Sequence, residues 1–145
     1  METSLTLHEA VAKSLDVWHR MVASRSLQAL PDILHPQAVF RSPMAFAPYQ
    51  SAQAVALVLN TVIEVFEDFS YQRAFASADG MNVVLEFSAH IGERQLKGVD
   101  LIRFDAQGKI VEFEVMVRPL SALQALGQEM GRRLGDKLPA FKGKA

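Results

Sequence analysis

A chain of 145 residues, 50% of them apolar and 21% charged, is long enough for one domain with a real core and too apolar for disorder. Its formal net charge of -1 leaves no basic excess to hold a phosphate backbone, so no nucleic-acid partner is expected. The absence of cysteine excludes disulfides, thiolate catalysis and cysteine-based metal sites.

The first ten residues, METSLTLHEA, carry no positive region before an apolar run, so no secretory leader is expected. Thr6 to about Ala23 reads as a helix with a Thr6/Glu9 capping box. Leu7, Val11, Leu15, Trp18 and Val22 form its apolar stripe, and Leu5 stands as a staple outside the cap. His19 falls about 100° around the helix from Trp18, on the side expected to face solvent. A second helix is expected over Leu27 to Leu34, capped by Ser24 or Ser26 and shortened by Pro31. Ala38 to Ser42 reads as a strand stopped by Pro43. The apolar loop 43–50 either plugs the end of the core or lines a pocket mouth.

Ser51 caps a third helix over 52–64, on Val55, Leu59, Val62 and Ile63. Its run AVALVL (54–59) is far short of the roughly 20 apolar residues a membrane span needs, and a cytoplasmic protein with no membrane partner is expected. Residues 65–76 read as a strand with a bend at Glu67-Asp68, and Asp79-Gly80 as a turn. The strands Asn82–His90, Gln95–Phe104 and Lys109–Val117 follow, joined at Gly92-Glu93 and at Asp105–Gly108. Leu120 to about Leu134 forms a last helix on which Gly127, Gly131 and Gly135 recur every four residues, a face suited to close approach or to a poorly packed tail.

The organisation expected is a single domain over 1–135, with a core at 6–118, a C-terminal helix at 120–134 and a flexible tail at 136–145. Helices must cover one face of the sheet. The other face mixes Glu86, His90, Glu112 and Glu114 with Val99, Leu101 and Met116. That mixture suits either a homodimer interface on the outer sheet face or a wholly solvated surface.

Asp100 is the outstanding candidate for chemistry. Period two places Leu96, Gly98, Asp100, Ile102 and Phe104 on one face, opposite Val111, Phe113, Val115 and Val117 of the next strand. A carboxyl there must be paired, hydrogen-bonded or protonated. A neutral one can donate to a developing oxyanion, whereas a structural one bonds the backbone or a nearby Trp or Tyr. His8, His19, His35 and His90 lack metal spacing, so no metal is expected. Glu112 and Glu114 share the face away from the pocket. Arg73 either anchors an anionic ligand or pairs with Glu86, and Arg118 stands where the last strand ends. No nucleotide-binding loop, nucleophile elbow or zincin motif occurs, and no cofactor is expected.

The element order, together with Ala38-Val39-Phe40-Arg41-Ser42-Pro43 and the stretch from Gly98-Val99-Asp100-Leu101-Ile102-Arg103-Phe104 to Ile110, resembles the SnoaL-like branch of the nuclear-transport-factor-2-like superfamily. The resemblance covers about residues 6–118. It implies an α+β cone: a curved antiparallel sheet wrapped around three N-terminal helices, here with an additional C-terminal helix that lids the pocket or extends a dimer contact. By comparison with the ketosteroid isomerases, Asp100 falls on the oxyanion-hole acid, Trp18 on the oxyanion tyrosine and Ser42 on the general base. The limonene-epoxide-hydrolase comparison puts Val115 where a late aspartate stands. Trp18, Phe40, Met44, Tyr49, Phe87, Asp100, Phe113 and Val115 are the expected pocket residues. The first function implied is binding of a small apolar or aromatic molecule. The alternatives are an isomerase, cyclase or dehydratase using Asp100 as acid or oxyanion donor, with Ser42, Trp18 or Tyr49 helping, and a non-catalytic dimerisation module.

Overall fold

The computed structural model describes residues 5–135 and 137, so the expected frayed tail over 136–145 lies outside the described residues save for Lys137. Helix α1 (Glu9–Ser24) buries Val11, Ser14, Leu15, Trp18 and Met21. Its cap is His8, not Thr6: the His8 ring accepts the Ala10 N–H at 3.3 Å. The His8 N–H donates to the Gly80 carbonyl and the helix begins at Glu9, which leaves Thr6 two residues upstream of the cap position. Helix α2 is only Leu30–Ile33, because Pro31 sits in its first turn and begins it there. Neither Ser24 nor Ser26 caps it; Ala29 occupies that place without a side-chain bond.

Strand β1 (Leu34–Arg41) follows directly, then β2 (Tyr49–Gln50) and α3 (Ala52–Val65), whose Ser51 cap accepts from the Ala54 N–H at 3.2 Å. Strands β3 (Glu67–Ala76), β4 (Asn82–Ile91), β5 (Arg94–Phe104) and β6 (Ile110–Arg118) precede α4 (Leu120–Leu134). The curved sheet has the order β2-β1-β6-β5-β4-β3. It is antiparallel except for β1, which runs parallel to β6.

Strands β4 and β5 alternate as period two requires, burying Val83, Leu85, Phe87 and Ala89 on one and Leu96, Gly98, Asp100, Ile102 and Phe104 on the other. The register slips between Arg103 and Phe104, so Ile110 rather than Val111 turns fully into the core. Edge strand β3 carries two such irregularities, between Glu67 and Ser70 and between Tyr71 and Ala74. The first includes Asp68 in the left-handed region, φ 52°. The second sends Tyr71 and Arg73 to opposite faces. Arg73 turns outward and donates to both carboxylate oxygens of Glu86, at 2.8 and 2.6 Å.

The core lies between the concave sheet face, α1 and α3. Helix α4 closes a second cluster with Phe66, Phe87 and Leu96 through Ala122 and Leu126. Of its glycine row only Gly127 meets close approach, from the Met44 side chain; a Cβ at Gly131 or Gly135 would meet nothing within 4 Å.

Candidate functional site

A cavity of about 970 Å³ lies within the concave sheet, bounded by α1, α3 and α4. Asp100 forms part of its wall at the middle of β5, in register with Leu85 of β4 and Val115 of β6. It is 5% exposed. The one hydrogen bond to its carboxyl among the described residues comes from Tyr71, whose hydroxyl donates to Oδ2 at 2.6 Å. Trp18 Nε1 in turn donates to that hydroxyl at 3.0 Å. Trp18, Tyr71 and Asp100 therefore form a chain of donors ending on a carboxyl whose Oδ1 makes no protein hydrogen bond among the described residues.

The surroundings are apolar rings. Trp18 meets Phe113 edge-on at 5.3 Å between centroids, and Phe113 stacks with Phe40 at 6.3 Å. Burial pushes the Asp100 carboxyl up to about 7, and the Tyr71 bond opposes this by favouring the charged form. Burial, then the neighbouring Asp100, raises the Tyr71 phenol well above its usual value, so it stays a donor. Near neutral pH, Asp100 can thus give or accept a proton in a largely apolar site.

Trp18, Phe40, Met44, Tyr49, Phe113 and Val115 all line this cavity with Asp100, and Ser42 joins them. Phe87 does not. It has the right parity but is completely buried, with Phe69 stacked against it at 4.9 Å and the Tyr71 ring edge-on at 6.5 Å. Alternation gives the face of a side chain, not its depth. Ser42 Oγ accepts the Met44 N–H at 2.9 Å, and among the described residues no carboxylate or imidazole bonds it, so nothing activates it as a base. Glu112 pairs with Arg41 at 3.3 Å, away from the cavity.

His19 corrects an expectation. It is half-buried, lines the cavity and meets Tyr71 edge-on at 5.4 Å, because the cavity reaches past the apolar stripe of α1 to edge strand β3. Tyr71 itself escaped sequence reading. Asp68, also at the cavity, pairs with His90 at 2.7 Å; its left-handed backbone marks the bulge and is the one local hint available. Among the described residues no group of three His, Cys, Asp or Glu side chains is placed to hold a metal. Among the described residues no helix is long and apolar enough to cross a membrane.

Tyr71→Phe tests the chain of donors. It strands the Trp18 N–H and removes the bond that favours charged Asp100, so the Asp100 pKa should rise further. A stability loss of about 1–3 kcal/mol is expected from the stranded donor, together with a shift in the emission of Trp18, the single tryptophan. Urea unfolding followed by fluorescence measures both; unchanged emission would mean that the Trp18–Tyr71 bond does not form in solution.

The SnoaL-like domain pattern matches residues 15–113. Among solved structures, a steroid delta-isomerase from Pseudomonas aeruginosa is 62% identical, with a TM-score of 0.90, covering 94% of this chain and 99% of that one. A conserved bacterial protein with a cystatin-like fold from Silicibacter pomeroyi is 30% identical, with a TM-score of 0.79, covering 94% and 96%. A nuclear-transport-factor-2-like protein from Mesorhizobium loti, 17% identical with a TM-score of 0.68 over 81% and 98%, shares the fold. Comparison with curated proteins gives no match.

Proposed function

The chain belongs to the SnoaL-like family of the nuclear-transport-factor-2-like superfamily, and from that premise we propose that its cavity takes a small, largely apolar molecule presenting one carbonyl or hydroxyl oxygen to Asp100. The observation that carries this reading is a cavity of about 970 Å³ walled by Trp18, Phe40, Phe113 and Val115, with one buried carboxyl whose Oδ1 no protein group bonds among the described residues. Its size and its few polar groups suit a ligand site. They also count against a dimerisation module with its cavity filled by side chains. Titrating Trp18 fluorescence with a tetracyclic enone such as progesterone tests the reading. Saturable quenching is expected; a flat titration over folded protein would sink it.

A catalytic reading is favoured by the Asp100 pKa of about 7, matched to proton transfer at neutral pH. The protein it resembles at 62% identity bears the name steroid delta-isomerase. In its neutral form Asp100 would donate to a ketone oxygen, a bond that strengthens as that oxygen gains charge in a dienolate. Ser42, at the place the resemblance gives to a base, is not set to take the carbon proton. Ultraviolet absorbance of the conjugated enone, read after adding a β,γ-unsaturated ketosteroid, separates turnover from binding alone.

The outer sheet face is our proposed site for a second copy of the chain. Val99 and Leu101 are half-buried there and Met116 is 51% exposed, among the charges of Glu86 and Glu112. Sedimentation equilibrium of wild type against Met116→Lys reads it: a dimer weakened by the lysine supports the site, and a wild-type monomer removes it.

A further inference from the structure

A second polar group stands in the same cavity. His19 Nε2 is buried and has no hydrogen-bond partner; among the described residues no other buried side-chain nitrogen or oxygen is left so. Buried polar atoms are overwhelmingly paired in native proteins, so an orphan calls for a reason. The neighbouring polar groups do not supply a partner. Tyr71 spends its hydroxyl on Asp100 and Trp18. Arg25 donates to the Ile63 carbonyl at 2.7 Å, and Asp16 stands 3.8 Å from Arg20. If packing against the Tyr71 ring were its only task, an apolar ring would do it without burying a nitrogen.

We propose that His19 is a second polar anchor of the cavity, so that the ligand carries two oxygens: one meets Asp100, and the other, a hydroxyl or carbonyl, meets the His19 imidazole. The proposal rests on the binding reading given above and narrows it to a class, apolar molecules oxygenated at two points. The two anchors are separated by the Tyr71 side chain, which touches His19 with its ring and Asp100 with its hydroxyl. The His19 ring already lines the cavity; its Nε2 is closed off as the structure stands, so contact with a ligand through that nitrogen requires a turn about the Cβ–Cγ bond. Burial lowers the His19 pKa, so the ring is neutral at neutral pH, with one donor and one acceptor nitrogen. Such a ring suits an uncharged oxygen better than an anion.

Calorimetric titration with two probes tests this: deoxyestrone, which carries only a phenol, and estrone, which adds a ketone at the opposite end. Wild type should bind estrone about five- to tenfold more tightly, the worth of one neutral hydrogen bond. His19→Phe should bring the ratio of the two affinities near one, and His19→Gln, which keeps a donor and an acceptor, should restore part of it. Asp100→Asn should weaken both probes alike. A wild-type ratio near one, or an unchanged ratio in folded His19→Phe, overturns the second anchor while leaving the binding reading in place. Failure of both probes to bind folded wild type overturns the two together. If His19→Phe does not fold, the wild-type ratio and the Gln variant decide.

Discussion

Asp100→Asn should remove most of the pH dependence that this carboxyl imposes on stability, and the variant should be more stable than wild type at pH 8. The unfolded group titrates near its ordinary 3.8 and the folded group near 7. Between those values the native state holds the proton more tightly than the unfolded state, so stability falls as pH rises. The penalty is absent below the unfolded pKa and complete above the folded one, where it amounts to roughly 4 kcal/mol as an order of magnitude. Asparagine has nearly the same shape, stays neutral and still accepts the Tyr71 hydroxyl. Urea unfolding at pH 4, 6 and 8 should show the two proteins alike at pH 4 and diverging above it. Equal slopes would mean that another group compensates the Asp100 charge. Where a turned-over ketone is found, the same substitution should cut the rate by about 10²–10⁴, the usual worth of a positioned proton donor.

How far the site was legible follows from which periodicities hold. In β5 the alternation is unbroken, so Leu96, Gly98, Asp100, Ile102 and Phe104 were readable as one buried face, and all are buried. Trp18 was readable because α1 keeps its helical stripe. Tyr71 was not. In a regular strand it would share a face with Arg73, yet the slip between Tyr71 and Ala74 turns Arg73 out to Glu86 and leaves Tyr71 on Asp100. Edge strands tolerate such bulges, and they re-aim side chains without a clear sequence mark. His19 was misplaced for a related reason: a helical wheel ranks faces by apolarity, whereas this cavity spans the α1 stripe and the neighbouring β3 edge. The parallel pairing of β1 with β6 joins segments some seventy residues apart, for example Phe40 with Phe113, and no local pattern announces it. Phe87 had the right parity and the wrong depth.

The depth of Phe87 is tied to Gly98, and this carries the largest expected loss of stability. Gly98 lies opposite Phe87 in the β4–β5 register and opposite Val117 in β5–β6. A Cβ there would run into the Phe87 ring and stand 2.5 Å from the Met116 carbonyl oxygen. The ring can move only by disturbing Phe66 and Phe69, which pack against it, and the carbonyl belongs to the sheet itself. Gly98→Ala should therefore cost at least the 1–3 kcal/mol typical of overpacking, and Gly98→Val should not fold. Because Phe87 also supports Tyr71 edge-on, the alanine variant should shift Trp18 emission through the Tyr71 hydroxyl before it unfolds. Combining Gly98→Ala with Phe87→Leu should recover part of the loss, since the shorter side chain vacates the space the new methyl needs. A double-mutant cycle on urea midpoints measures that coupling. Additive losses would place the strain on the Met116 backbone rather than on the Phe87 ring.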